Sequence, residues 1–211
     1  MPIITVSREY GSGGSEVAER VAHALGWTLL DNAFVERVAE RLGVPRQEVS
    51  AREERVPSFI ERLTDALGSS APELLPPVGQ ATLPPSEERI VEVSRRVVEE
   101  AVAHGPVVVV GRGAQAMLAE RSDAIHVFCY APREAKVRRV MRRQGVDAAE
   151  AQELVEETNR ERARYVRRFW ARDWAALEHY HVCVNTDWLG IDGAAALIVS
   201  LARERFTERG E

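Results

Sequence analysis

IITVSREYGSGGSEVA, residues 3–18, decides how the rest of the chain is read. Ile3–Val6 is a short β-rich run and Ser7–Ser15 is a glycine-rich turn. From about Gly14, the apolar residues Val17, Ala18, Val21, Ala22 and Leu25 recur at helical spacing. Glycines at 11, 13 and 14 let successive backbone N–H groups turn towards one point, and the helix behind them adds partial positive charge at its N-terminus. An anion is the natural guest of such a turn, with Gly11, Ser12, Gly13, Gly14 and Ser15 as its cradle.

Laid on the phosphate-binding pattern G-x-x-x-x-G-K-[ST] with Ser15 at the hydroxyl position, the stretch has Gly13 at the second glycine. Arg8 then stands at the first glycine and Gly14 at the lysine. Of the 28 basic residues only Lys136 is a lysine, and no lysine is expected near the glycine turn. Phosphate charge is therefore expected to be met by arginine, whose planar guanidinium pairs bidentately with phosphate oxygens. Arg8 is the first candidate to replace the lysine, and its plain alternative is a salt bridge to Glu9 or Glu16. Glu9 suits a loop-stabilising acceptor as well as a catalytic group.

A chain of 211 residues with 45% hydrophobic content can bury one sizeable core, so a single domain over 1–211 is expected. Apolar runs such as Val107–Val110 fall far short of the roughly 18 to 20 residues that cross a bilayer. Pro2–Val6 is too short and uncharged to open a secretory signal, which makes a soluble, cytoplasmic protein the expectation. The net charge of −5 argues against a general nucleic-acid or anionic-membrane binder. Locally the balance reverses: Arg133 to Arg172 holds 12 basic against 7 acidic residues. Cys129 and Cys183 lie in strand-like runs and read as two buried thiols rather than a disulfide or a metal pair. Neither H-E-x-x-H nor G-x-S-x-G occurs, and His179 and His181, flanking a strand, read as structural.

In order along the chain, Gly26 ends the first helix and Trp27–Leu30 reads as a second strand, closed by Asp31. A carboxylate at a strand end in an open α/β sheet faces the edge where ligands collect; the equal alternative is an N-cap for the helix that follows. Ala33–Leu67 predicts charged amphipathic helices, and 69–86, with five of the ten prolines, a loop. Together 33–86 form a helical insertion after strand 2. Ser86 caps a helix over Glu87–Ala103, and Val107–Val110 is a strand buried on both faces, running into Gly111-Arg112-Gly113. Arg112 is a candidate for a substrate phosphate or base, with a structural ion pair as the even alternative. Ile125–Tyr130 is the fourth strand, and the next helix carries Arg138, Arg139, Arg142 and Arg143, a pattern typical of a solvated face, with one of the four reaching a ligand as the alternative. Asp147-Ala-Ala-Glu150 resembles a capping box opening a helix to about Trp170. On it Arg160, Arg164, Arg167 and Arg168 share one face, with Arg162 beside them. Val182–Val184 is the fifth strand, and Asp192 caps a closing helix, Gly193–Phe206. The sum is an α/β fold, a five-stranded parallel sheet with helices on both faces.

With Thr5–Gly14, Val110-Gly111-Arg112-Gly113, Tyr180–Gly190 and Leu29-Leu30-Asp31 in place, the chain resembles the cytidylate kinase-like family of nucleoside monophosphate kinases. That resemblance implies a P-loop kinase fold in which 33–86 includes the monophosphate-binding segment and 156–176 is an arginine-rich lid. Gly11–Ser15 would then hold donor phosphates, Asp31 and Arg112 would face the acceptor, and Arg160, Arg162 and Arg164 would belong to the lid. ATP and Mg²⁺ are the implied cofactors, with the Ser15 hydroxyl on the metal, and a small nucleotide is the implied substrate. Two positions depart from authentic cytidylate kinases: Gly14 stands where they have lysine, and Gly113 where they have aspartate.

Phosphoryl transfer needs positioning and cation placement rather than a protein nucleophile, which suits this inventory. A catalytically silent nucleotide- or anion-binding regulatory module on the same scaffold is the alternative, favoured by the missing lysine and aspartate. A nucleic-acid binder is disfavoured by the net charge and by the lack of aromatics between the arginines apart from Tyr165, Phe169 and Trp170.

Overall fold

Val107–Val110 is buried at every position, as four consecutive β-branched residues demand of a strand covered on both faces. The computed structural model describes residues 1–31 and 87–207. The insertion expected over 33–86, including its helices, the Pro-rich loop and the Ser86 cap, lies outside the described residues.

The strands are β1 (Ile3–Arg8), β2 (Thr28–Leu30), β3 (Val107–Val110), β4 (Ala124–Tyr130) and β5 (Val182–Asn185). The helices are α1 (Gly14–Leu25), α2 (Glu87–His104), α3 (Ala114–Met117), α4 (Arg133–Gln144), α5 (Ala148–Trp170) and α6 (Gly190–Thr207). The sheet order is β2-β3-β1-β4-β5, and every neighbouring pair is parallel. In register, Ile3 stands opposite both Val107 and Ala124, so β1 is the central strand. The chain crosses over β1 between β3 and β4, which makes its carboxyl end the switch point where ligands bind in such sheets. No described helix is long and apolar enough to cross a membrane.

Alternation along the strands sends two sets of side chains to opposite faces. Ile4, Val6, Ile125, Val127 and Cys129 pack under α1 and α6, against Val17, Val21, Ile198 and Val199. Phe128 goes the other way, to Val166 of α5 and Trp174. Asp147 caps the helix as spaced, its Oδ1 accepting the Glu150 N–H at 2.9 Å, and the helix runs to Trp170. Several boundaries differ from the sequence reading, most by one residue, and three of them change what a residue does. β1 continues to Arg8, which shortens the glycine turn to residues 9–13. Trp27 precedes β2, where its ring packs against Phe206. α6 starts at Gly190, so Asp192 lies inside its first turn, where it pairs with Arg20, and does not cap it. Asn185 makes the turn before α6 instead, its Oδ1 accepting the N–H groups of Asp187 at 3.0 Å and Trp188 at 3.2 Å.

The same alternation buries His126. Its Nδ1 lies 2.8 Å from Thr5 Oγ1, and its ring stacks on His181 with centroids 5.0 Å apart. Nε2 is buried with no hydrogen-bond partner among the described residues. Burial first, then the charges of His181 and Arg172, push its pKa from 6.5 down to about 4. A depressed histidine binds its proton more readily when unfolded, so stability is lost as pH falls from about 6.5 to about 4. The loss approaches about 3 kcal/mol. Urea unfolding of wild type and His126→Gln at pH 7 and pH 4.5 checks this; an equal acid sensitivity in the two proteins rules the assignment out.

Candidate functional site

Ser12 is fully buried inside the glycine turn. Its Oγ donates to the Glu9 carbonyl at 2.8 Å and accepts the Gly14 N–H at 3.3 Å. The serine therefore shapes the turn with its side chain, and its N–H, which donates to the same Glu9 carbonyl at 3.2 Å, helps to close it. Gly11 and Gly13 hold φ of +76° and +79°, a conformation that favours glycine. The N–H groups of Ser15 and Glu16, in the first turn of α1, have no acceptor within the helix and open at its end.

At Gly14 the chain approaches itself through side-chain atoms held by two strand backbones. A Cβ there would lie 2.5 Å from Arg8 Cβ and 2.9 Å from Cys129 Cβ. The position aligned with a phosphate-binding lysine thus has no room for a side chain. Arg8 rises past it: Nε is 3.4 Å from Ser15 Oγ, and the guanidinium rests on Gly111, where a Cβ would come within 2.0 Å of Nη1. Beside Gly14, burial pushes the Cys129 thiol up to about 12 against the opposing pull of Arg8, so it stays protonated. Cys183 is the second free thiol and is half-buried.

Gly111, Arg112 and Gly113 are all left-handed, with φ of 70°, 56° and 67°. For arginine that conformation costs roughly 1–2 kcal/mol, which the flanking backbone must impose. It does so through Gly111 N–H to the Val6 carbonyl at 3.0 Å and Ala114 N–H to the Gly111 carbonyl at 2.9 Å. Gly113 seats the Trp170 indole, 2.5 Å from where its Cβ would be. Arg8, Arg112 and Arg162 line one cleft with Ser7, Tyr165 and Tyr180. The Tyr180 hydroxyl donates to the Trp174 carbonyl at 2.6 Å, and burial, opposed by the Ser7 hydroxyl, pushes it up to about 12.

The arginines expected on α5 separate. Arg162 Nη1 donates to the Arg8 carbonyl at 2.6 Å, and its guanidinium stands 5.7 Å over the Tyr10 ring. Arg160 and Arg164 are exposed, and Arg160 pairs with Glu157 one turn back at 3.0 Å. Asn159 adds a second tie, accepting the Tyr10 N–H at 2.8 Å. Asp31 directly follows β2 and is half-buried.

Lys136 corrects the expectation that no lysine comes near the turn. Its backbone carbonyl is 2.8 Å from where a Gly11 Cβ would be, and its ammonium pairs with Glu9 Oε2 at 2.9 Å. Glu9 also accepts the Ala131 N–H at 3.2 Å. The carboxylate is thus the loop-stabilising acceptor, and it neutralises the lysine beside the cradle. Arg139, read from sequence as one of four solvated arginines, turns inward to the Ser12 carbonyl and to Thr186. The rarity of lysine marked Lys136 beforehand, and nothing in the sequence set Arg139 apart from its three neighbours.

The solved structure of an uncharacterized protein from Eubacterium ventriosum superposes with a TM-score of 0.67 at 20% identity, covering 96% of this chain and 98% of that one. Shikimate kinase from Acinetobacter baumannii, solved with shikimate, does so with a TM-score of 0.51 at 16% identity, covering 100% and 96%. Both likenesses are of fold. In sequence, the chain is 27% identical to the cytidylate kinase of Ignicoccus hospitalis over 94% of its own length and 97% of the relative's. The model of the cytidylate kinase-like family matches residues 3–188, and the chain belongs to that family.

Proposed function

We propose that the protein transfers a phosphoryl group from ATP to a nucleoside monophosphate or a related small acceptor, in the cytoplasm. The observation that carries this reading is the meeting of Arg8, Arg112 and Arg162, from three separate elements, in one cleft beside the glycine turn. A phosphoryl group in transit spreads negative charge over its equatorial oxygens, and fixed cations around it act by electrostatic stabilisation. The 27% identical relative, a cytidylate kinase, supports a nucleotide as acceptor.

In this reading the Gly11–Ser15 turn holds the donor phosphates through the N–H groups not engaged within it, those of Gly13 and Ser15 among them, and Arg8 carries the charge that a lysine supplies elsewhere. Arg112 and Asp31 face the acceptor, and segment 156–176 acts as the lid, with Arg162 nearest the reaction and Arg160 and Arg164 on its outer face. Mg²⁺ fits the donor set through the Ser15 hydroxyl, because this ion keeps several waters and takes one or two protein oxygens alongside substrate phosphates. When bound it would offset charge on those phosphates. The Arg8 Nε contact to Ser15 Oγ would then pass to a phosphate oxygen.

The competing reading, a catalytically silent nucleotide- or anion-binding module, is favoured by the pairing of Lys136 with Glu9, which leaves arginines alone to answer phosphate charge. The two separate in one assay: Mg·ATP with a panel of nucleoside monophosphates, followed by ADP formation. Stimulation by one acceptor is expected, falling about 100-fold in Arg112→Ala and Arg162→Ala. Nucleotide binding without turnover on any acceptor would sink the kinase in favour of the silent module.

A further inference from the structure

Arg138, Arg142 and Arg143 are exposed on α4, and Arg139 alone among these four turns inward. Its Nη1 donates to the Ser12 carbonyl at 3.0 Å and to Thr186 Oγ1 at 3.1 Å, and its Nη2 donates to the Thr186 carbonyl at 3.0 Å. Thr186 is fully buried, and its hydroxyl also donates to the Ser12 carbonyl. Asp187, 3.8 Å away, is the nearby counter-charge. Two donors, one of them a cation, thus converge on a single carbonyl of the glycine turn, from elements 127 and 174 residues along the chain.

The peptide joining Ser12 to Gly13 is planar and trans, so its N–H points opposite to its C=O. Holding the Ser12 carbonyl towards Arg139 and Thr186 sends the Gly13 N–H the other way, and among the described residues that N–H has no acceptor. A cation on the carbonyl also polarises the peptide and makes its N–H a stronger donor. We propose that Arg139 and Thr186 are positioning residues of the phosphate turn, fixing the Ser12–Gly13 peptide so that the Gly13 N–H faces bound phosphate, with the charge of Arg139 acting through that peptide. This rests on the phosphate-site reading above. It also gives the turn a cation from behind, where Gly14 leaves no room for one in front.

The test uses inorganic tripolyphosphate, which carries neither base nor acceptor, titrated calorimetrically into the full chain, with the Gly13 amide followed by ¹⁵N NMR. Wild type is expected to bind and to shift the Gly13 resonance. Arg139→Gln is expected to lose about tenfold or more in affinity, the scale of a hydrogen bond to a charged group, together with the Gly13 shift. Arg139→Lys restores part of the affinity through its charge, and Thr186→Val loses several-fold with the arginine intact. A folded Arg139→Gln that binds as wild type does, with the Gly13 shift intact, overturns the proposal. If Arg139→Gln does not fold, Thr186→Val decides in the same way. Failure of wild type to bind tripolyphosphate at all overturns the phosphate site itself, and that outcome is distinct from a variant that binds unchanged.

Discussion

Gly14→Lys, the substitution that completes the phosphate-binding pattern, is expected to destabilise the protein and to leave it without improved turnover. A Cβ at this position meets Arg8 Cβ at 2.5 Å and Cys129 Cβ at 2.9 Å. Both are first side-chain atoms, fixed by the backbones of β1 and β4, and no rotamer change moves them. Relief requires α1 to lift off the centre of the sheet, where Val17 and Val21 are fully buried. Overpacking of this kind costs about 1–3 kcal/mol for a small group, and lysine adds a buried stem and charge to it. Thermal unfolding of Gly14→Ala and Gly14→Lys measures the two parts. A lysine variant as stable as wild type, with faster ADP formation, would show that the turn is a decayed lysine site and not one built around Arg8.

Arg8→Met is expected to abolish most phosphoryl transfer while leaving the fold standing. Methionine keeps much of the apolar stem that covers Gly14 and removes the head that rests on Gly111 near Ser15 Oγ. Loss of one preorganised charge-stabilising donor costs about 10² to 10³ in kcat. The expected loss falls in kcat more than in KM, because the charge is needed most where the phosphoryl group is in transit. Steady-state ADP formation against ATP concentration, with circular dichroism as the check on folding, decides it. A variant within a few-fold of wild-type kcat removes Arg8 from the reaction and hands the site to the silent-module reading.

The strands and the longer helices of the described residues were readable because each is a local pattern, whereas the four residues of α3 are too few to show one. Val107–Val110 announces a doubly covered strand, and Asp147-Ala-Ala-Glu150 announces where α5 begins. The site was less readable, for reasons that differ from residue to residue. Asn159 meets Tyr10 across 149 positions of chain and Arg139 meets Ser12 across 127, so nothing local marks either. On α5 the i, i+4 stripe through Arg160 and Arg164 picks out the solvated face, since like charges at that spacing separate best in water. Arg162 lies off the stripe, which is why it can reach the turn. Arg112 carried no sign of its left-handed backbone beyond the glycine on either side. Lys136 was rare enough to notice, but its partner Glu9 came into view only with the fold.

The seat that Gly111 gives Arg8, and the stem of Arg8 against Gly14, bear on how this turn can change by inheritance. Residues in contact do not contribute independently, so substitutions at 8, 14 and 111 interact. A side chain at 111 evicts the arginine, one at 14 collides with its stem, and loss of the arginine leaves both glycines flanking a void. A lineage moving one residue at a time between an arginine-bearing and a lysine-bearing turn must therefore pass through forms worse than either end. The two solutions to holding phosphate are separated by a fitness valley three positions wide, and related chains should carry one complete set or the other.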